Sequence, residues 1–458
     1  MQVTVVEEIP ERVVKLLSLL LLGAVGLLVV ALVVGYVGPS AYETHTYSAY
    51  SCCVPPRDYP GCKPHAWNDT ACTGVQLSQS NTKWTQTFPK FSALNKLWIL
   101  EVTPHQNDTQ PLKHKNLKVS VSLWGSDKPN REHSIVSKDI HESYLTCVRS
   151  DGRCSSYMLV DVQSLEYQYY HIEVSLPDSE GKPFVGDMVF SLLRYSRPYS
   201  EEELAVRSTF QVIALVLLFF FFLRMRKEKW SSWSFEHKAL LALLIGLFFY
   251  NNPFFPFEFV VRGWALQFFG SILESTFLAG VLLYWLFLLD RFRDPEGKIS
   301  LLVPKLVVVL FYWFFSISFI GWVRIRAGED PVYGTRDNTM GLFAIFYLTS
   351  CLYGAIVLWL IILVALTVPI VASQRNTLLR FLYFGVPTLV CIMSVVIGIF
   401  TGSLGPFNRE SVGFMYYTTM YNVYVWILLA GNWPVSFSSS ASTNFERTSL
   451  LREEDEGL

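Results

Sequence analysis

The chain has 458 residues, of which 51% are apolar and only 16% are charged, and its formal net charge is -1. Soluble domains carry about 25% charged residues, so this composition argues against an ordinary soluble protein. The near-neutral charge and the lack of a dense Lys/Arg block argue against a nucleic-acid partner.

Eight apolar runs are long enough, or nearly so, to cross a membrane as helices, because a span needs about 20 apolar residues. They cover residues 14–36, 208–223, 239–257, 265–289, 303–323, 340–371, 381–401 and 414–433. The first run is longer than the apolar core of a signal peptide and ends in no convincing cleavage site. We therefore predict a cytosolic N-terminus at 1–13, a retained anchor at 14–36 and a GPCR-like seven-helix bundle at 206–433.

A polar block at 37–205 separates the anchor from the bundle. It holds six of the eight cysteines and both N-x-S/T sequons, whose asparagines are Asn68 and Asn107. Glycosylation and disulfides both indicate a luminal or extracellular face, which leaves both termini in the cytosol. The loops on the predicted cytosolic side then hold eleven Lys and Arg, against five on the other side. This asymmetry is the one that the positive-inside rule expects.

Alternating apolar and polar residues predict β-strands in this block. The segments "LKVSVSLW" (117–124) and "YHIEVSL" (170–176) alternate with period two, which gives one buried and one wet face. Three further candidates are "KLWILEV", "SYMLVDV" and "DMVFSLL". Several short strands between turn-rich segments predict an antiparallel β-sandwich stapled by disulfides.

The six cysteines of the block allow 15 pairings. Cys147 and Cys154 flank "VRSDGR", whose Asp-Gly predicts a turn, so we expect these two to pair. The pairing of Cys52, Cys53, Cys62 and Cys72 stays open. A metal site made by Cys52, Cys62, His65 and Cys72 is the alternative, which a luminal setting disfavours. No motif indicates an enzyme, a cofactor or a resident metal.

The order of one sandwich and seven spans after an anchor resembles the family that includes Wntless and transmembrane protein 181. This family is part of the Golgi-dynamics-domain group of seven-helix proteins, and the chain is most similar to its transmembrane protein 181 branch. The segment "LFFYNNPFFPFEFVVRGW" (247–264) resembles a family segment that has Asp where this chain has Asn252. "LTCVRSDGRC" (145–154) and "DPVYGTRDNTMG" (330–341) are also similar. The resemblance implies a luminal cargo domain and a bundle cavity for a lipid or hydrophobic appendage.

The polar and proline residues of "FFYNNPFFPFEFV" (248–260) stand inside an aromatic run at the predicted luminal end of a span. Irregular backbone at membrane depth is tolerated where it lines a cavity. The segment is either a luminal mouth or a plain loop with interfacial aromatics. Glu274 lies inside a span, where family members have Gln, and either bonds a neighbouring helix or serves a ligand or proton. The candidate cavity residues are Asn251, Asn252, Pro253, Pro256, Glu258 and Glu274.

The C-terminal residues 434–458 are Ser-rich, then acidic, and predict a disordered cytosolic tail. Within it, "ERTSLL" (446–451) matches the acidic dileucine motif that clathrin adaptors bind, with Glu446, Leu450 and Leu451 as the contact residues. The alternative is a tail that no adaptor recognises.

The combined features favour a sorting carrier of the secretory and endosomal route, in the Golgi, endosomes or plasma membrane. Its expected partners are membrane lipids, a luminal protein cargo and a clathrin adaptor. A GPCR-like cell-surface receptor is the first alternative, and a channel or transporter is the second.

Overall fold

The computed structural model describes most of the chain. The described residues are 11–48, 83–88, 90–105, 113–128, 134–146, 154–175, 187–261, 263–293, 302–329, 331, 340–372, 378, 381–400 and 411–433. Within these residues a long helix, α1 (Glu11–Val37), precedes eight strands, and seven further α-helices follow them. This order confirms the predicted anchor, sandwich and seven-helix bundle.

Two four-stranded antiparallel sheets form the β region. The strands are β1 (Tyr42–Ser48), β2 (Lys83–Thr87), β3 (Trp98–His105), β4 (Lys113–Ser126), β5 (Ser134–Thr146), β6 (Tyr157–Val162), β7 (Tyr169–Ser175) and β8 (Asp187–Tyr195). One sheet has the order β1-β8-β3-β6 and the other β2-β7-β4-β5. The five predicted strands correspond to β3, β4, β6, β7 and β8. The sequence patterns missed β1, β2 and β5.

The two sheets pack face to face around one aromatic core, which confirms a sandwich. Trp84 of β2 stacks on Phe190 of β8 with ring centroids 3.9 Å apart, so the contact joins the two sheets. Trp98 of β3 meets Tyr170 of β7 at 5.3 Å, which is a second contact between the sheets. All four side chains are almost fully buried. Aromatic pairs of this kind add about 0.5–1.5 kcal/mol beyond the area that they bury.

Seven helices follow the sandwich. They are α2 (Arg197–Met225), α3 (Phe235–Tyr250), α4 (Ala265–Arg293), α5 (Leu302–Glu329), α6 (Met340–Ala372), α7 (Val386–Phe400) and α8 (Ser411–Gly431). A π-helical turn, Phe381–Gly385, leads into α7, and a 3₁₀ turn, Phe255–Phe259, follows α3. The start of α2 differs from the predicted boundary at 206, because Ser196 and Pro198 begin a helix nine residues earlier. Its first turns are polar, so the apolar run did not reveal them.

Seven helical segments of the described chain are long and apolar enough to cross a membrane, judged by length and composition. They comprise α1 to α6 and the segment Phe381–Gly398, with the 3₁₀ turn counted as part of α3. The remaining helix, α8, is 21 residues long, and 16 of these are buried. Its tyrosine, threonine and asparagine side chains lower its hydropathy, and they face protein rather than the surroundings of the bundle.

The anchor helix packs along α8. Ser411 at the start of α8 donates a hydrogen bond to the Gly35 carbonyl near the end of α1, at 2.6 Å. A Cβ on Gly35 would lie 2.7 Å from the Val412 Cα, so the close approach requires glycine. The two helices are therefore antiparallel. The start of α1 and the end of α8 lie together at the bundle end that is remote from the sandwich.

Candidate functional site

A buried ion cluster joins the sandwich to the bundle, and we call it the junction cluster. It consists of Lys96, Glu203, Arg207 and Glu258. The Lys96 Nζ lies 3.1 Å from Glu203 Oε2 and 3.8 Å from Glu258 Oε2. Arg207 Nε donates to Glu203 Oε1 at 3.0 Å, one helical turn away on α2. Lys96 comes from the sandwich, whereas the other three residues come from the bundle.

The Lys96 ammonium is enclosed by rings as well as by carboxylates. Its Nζ lies 3.7 Å from the ring centre of Phe255, 5.1 Å from that of Phe259 and 5.5 Å from that of Tyr195. Burial lowers the pKa of the Lys96 ammonium, and the charges of Glu203 and Glu258 act in the opposite direction. The lysine side chain is only 9% exposed. Removal of one partner from such a pair is costly, because it leaves the other charge buried and unmatched.

The segment "NNPFFPFEF" holds Glu258 in place for this contact. Asn252 has a positive φ of 54°, a left-handed conformation that asparagine tolerates better than most residues. Its side-chain oxygen accepts from the Phe254 N–H at 3.1 Å, and its Nδ2 donates to Glu258 Oε1 at 3.0 Å. Pro253 and Pro256 lie within the turns that follow. Proline has no backbone N–H to donate, and turns tolerate this because they do not need that hydrogen bond. The interruption therefore places an acid and an aromatic ring under the sandwich.

The Asn251 side chain contacts α8, whereas that of Asn252 contacts Glu258. It is fully buried, and its side-chain amide exchanges two hydrogen bonds of 3.0 Å with that of Asn422 on α8. Asn422 Nδ2 also donates to the Thr418 carbonyl at 2.8 Å. The pair joins α3 to α8 inside the bundle, where an unmatched amide would be expensive.

A second polar contact joins the sandwich to α5. Arg324 Nη1 donates to Gln163 Oε1 at 2.9 Å and to Gln267 Oε1 at 3.0 Å. Gln163 Nε2 in turn donates to both oxygens of Asp161, at 2.7 and 2.6 Å. Burial raises the pKa of the Asp161 carboxyl, and the Gln163 hydrogen bond and the Arg324 charge oppose the shift. The Asp161 N–H also donates to the Pro331 carbonyl at 2.8 Å, so the sandwich is tied to the bundle at two places.

Glu274 of α4 points into the bundle but has no direct partner there. It shares the helix face of Gly270, Phe277 and Val281, which are buried, because their spacing of three and four residues puts them on one stripe. Glu274 is nevertheless exposed, and it makes no hydrogen bond or ion pair with any described residue. The expected hydrogen bond between helices is thus absent among those residues. We name the open space that Glu274 faces the bundle chamber.

The half of α6 near the sandwich is loosely packed, although Phe346 and Tyr353 contact Phe319 and Tyr312 of α5. Among its described side chains from Phe343 to Ala355, none is buried, and Tyr347 is 63% exposed. The second half of α6 packs in the usual way, with Ile356, Leu360 and Leu363 buried at helical spacing.

Several predicted site residues lie outside the described residues. These are Asn68, Asn107, Cys52, Cys53, Cys62, Cys72, Cys147, Glu446, Leu450 and Leu451, together with the metal alternative at His65. Cys154 is disulfide-bonded. Its partner is not among the described residues, so the pairing with Cys147 stays a prediction. In the described part of the chain no group of three His, Cys, Asp or Glu side chains suits a metal ion.

Sequence reasoning missed Lys96, Glu203 and Arg207. One signal was available for two of them, since Glu203 and Arg207 are four residues apart at the edge of an apolar run, the spacing of a helical ion pair. Lys96 carried no such signal. It lies next to a strand, and its partners are distant in sequence.

Comparison with known proteins places this architecture in a family. The family model described as "Wntless-like, transmembrane domain" matches residues 196–436, which is more than half of the chain. Transmembrane protein 181 of Homo sapiens is 29% identical over 223 residues, which cover 48% of this chain and 46% of the human protein. The match thus spans about half the length of that relative. The chain is a multi-pass integral membrane protein, and it belongs to the Wntless-like transmembrane family.

Proposed function

We propose that this protein is a sorting carrier of the secretory and endosomal route. Its sandwich faces the lumen and binds a protein cargo, its bundle takes up a lipid or hydrophobic part of that cargo, and it performs no catalysis. The family membership supports a transport or sorting role in general terms. The choice of cargo binding over signalling is our inference.

One observation carries this proposal: the sandwich is fixed over a bundle in which the Glu274 side chain is exposed, although the other residues of its helix stripe are buried. The junction cluster and the Arg324 contacts hold the sandwich against one end of the bundle. The bundle chamber lies at that same end. A carrier needs a soluble recognition surface and a sheltered cavity that one cargo molecule can occupy together. Two linked sites gain affinity when a single ligand can reach both.

The loosely packed half of α6 supports the uptake of an apolar group. Phe343, Phe346 and Tyr347 are largely exposed, although the Phe346 ring also contacts Phe319 of α5 at 5.5 Å. In a bilayer exposed rings of this kind face lipid. We infer that membrane lipids or a lipid-like appendage enter beside α6.

The tail would direct the return of the carrier. Both ends of the chain's helical region lie at the bundle end remote from the sandwich, so a luminal sandwich implies cytosolic termini. A dileucine motif is then exposed to a clathrin adaptor, with Leu450 and Leu451 in an apolar pocket and Glu446 on a basic patch. Each buried leucine contributes on the order of 1.5–3 kcal/mol.

The proposal is tested by the location of the full-length protein in cells. The wild type should cycle through Golgi and endosomes, and Leu450→Ala combined with Leu451→Ala should move it to the cell surface. Glu446→Ala should act more weakly, because an exposed charge contact is screened. Glycans at Asn68 and Asn107 should mature normally in each variant, which separates missorting from misfolding. A wild-type protein that resides mainly at the surface would favour the receptor alternative.

A further inference from the structure

The charges around the bundle chamber do not balance. Lys96 and Arg207 contact Glu203, and Lys96 also lies beside Glu258. Arg324 donates a hydrogen bond to Gln163, which donates to Asp161, and the Arg324 charge stabilises the Asp161 carboxylate. Of the carboxylates of Glu203, Glu258 and Glu274, these contacts leave that of Glu274 without a cation at ion-pair distance among the described residues.

The two arginines near Glu274 are engaged elsewhere. Arg207 uses its Nε for Glu203 and lies over the rings of Phe255 and Phe414, with its Cζ 4.9 and 5.0 Å from the ring centres. Arg324 donates to Gln163 and Gln267. Both guanidinium charges act on Glu274, but neither forms an ion pair with it. A carboxylate held in a helical span without a direct partner is expensive, and such residues usually serve a site.

The side chains packed below Glu274 are aromatic, and each is at most 5% exposed. Phe277 lies one turn further along α4, with its ring centre 4.7 Å from that of Tyr250 and 5.9 Å from that of Tyr421. Aromatic rings attract cations through their faces, and the effect grows as water is removed. A carboxylate above a group of aromatic rings matches an organic cation better than a metal ion, which would need further oxygen or nitrogen ligands.

We propose that the bundle chamber binds an organic ammonium group, with Glu274 as the counter-ion and Phe277, Tyr250 and Tyr421 as the aromatic floor. A single positive charge on the ligand would balance the charge of the Glu274 carboxylate. The ammonium group comes either from a free amine or from a lipid-like molecule whose chain lies beside α6. This inference rests on the proposed function only in locating the cargo's apolar part, and it names the chemistry of the group that accompanies that part.

The test uses the full chain in a neutral glycoside detergent and four compounds. Dodecyltrimethylammonium and dodecanol share an alkyl chain but differ in charge, and tetramethylammonium and tert-butanol repeat the comparison without the chain. Affinity is measured from the ligand-induced shift in melting temperature. We expect dodecyltrimethylammonium to bind about tenfold more tightly than dodecanol, a ratio that corresponds to about 1.4 kcal/mol.

Substitution assigns that preference to one residue. Glu274→Gln should reduce the ratio to about one, since the amide keeps the shape and removes the charge. Glu201→Gln is the matched control, because Glu201 is an exposed carboxylate on α2 that pairs with Arg197 at 2.9 Å. Its ratio should stay that of the wild type. The ratio of tetramethylammonium to tert-butanol affinity is compared with the ratio for the two long-chain compounds. Equal ratios would identify a free amine as the source of the ammonium group.

A second measurement covers the case in which Glu274→Gln does not fold. Dicyclohexylcarbodiimide reacts with the protonated form of carboxyl groups that apolar reagents can reach, so the protein is labelled at mildly acidic pH, and peptide mapping locates the label. Wild-type Glu274 should be labelled, and dodecyltrimethylammonium should protect it where dodecanol does not. Equal binding of the two long-chain compounds, or an unlabelled Glu274, would overturn the proposal. Failure of the carrier function would instead appear as an altered cellular location and would leave the ammonium preference unchanged.

Discussion

Replacing Lys96 with methionine should loosen the attachment of the sandwich to the bundle. Methionine keeps most of the apolar stem and removes the ammonium. Glu203 retains Arg207 and the Tyr195 hydroxyl, which donates to it at 2.8 Å. Glu258 loses the cation that lies 3.8 Å away and, among the described residues, keeps the Asn252 hydrogen bond and the more distant charge of Arg207. The cost therefore falls mainly on Glu258.

The expected magnitude follows from the number of partners that remain. Removal of one member of a buried ion pair costs about 3–5 kcal/mol, and the Asn252 hydrogen bond places this case near the lower end. About 3 kcal/mol corresponds to roughly a hundredfold change in an opening equilibrium. The amides of the turn Phe255–Phe259 should then exchange with deuterium about a hundredfold faster, because the attachment opens more often.

Lys83→Met provides the control for this measurement. Lys83 pairs with Glu173 at 2.8 Å, but the lysine side chain is 59% exposed, so its loss should cost about 0–1 kcal/mol. Exchange at Phe255–Phe259 should not change in that variant. The reasoning would be refuted if Lys96→Met accelerated exchange there by less than about threefold, or by no more than Lys83→Met does.

Three further predictions concern stability. Asn251→Ala and Asn422→Ala should each lower the stability of the bundle by about 1–3 kcal/mol, and the double variant should lose less than the sum, as measured by thermal unfolding in detergent. Gly270→Ala should destabilise the bundle by about 1–3 kcal/mol, because the added Cβ would lie 2.6 Å from Asn252 Nδ2. An unchanged melting temperature would contradict this prediction. Cys154→Ser should cost about 2–5 kcal/mol, with no added loss from Cys147→Ser, and disulfide mapping that paired Cys154 with a cysteine of 52–72 would disprove the predicted bond.

Much of the fold could be predicted because two periodic patterns are strong. Long apolar runs located every helix of the bundle, and period-two alternation located β4 and β7. The pattern failed for β1, whose sequence "YETHTYS" has little apolar content, and for the long β5, whose polar residues follow no strict alternation. Antiparallel partners define these strands, and pairing between distant segments is not visible in local composition.

The candidate site was less predictable because its partners are far apart in the chain. Lys96 and Glu203 are 107 residues apart and come from the sandwich and the bundle, respectively. No local pattern announces such a contact. Asn251 and Asn252 show the same limit at close range: one backbone change between adjacent residues sends the first side chain to α8 and the second to Glu258. Glu274 was identified from its polarity alone, but its lack of a partner required the structure.

The most direct test of the carrier function is the rate at which newly made proteins leave the early secretory pathway. Cells that lack the chain would be compared with cells that regain the wild type or Lys96→Met, by pulse labelling and quantitative proteomics of the surface and medium. We expect a defined set of proteins to be retained with immature glycans without the chain, released by the wild type and released only in part by Lys96→Met. Unchanged export of all surface and secreted proteins on removal of the chain would contradict the carrier function.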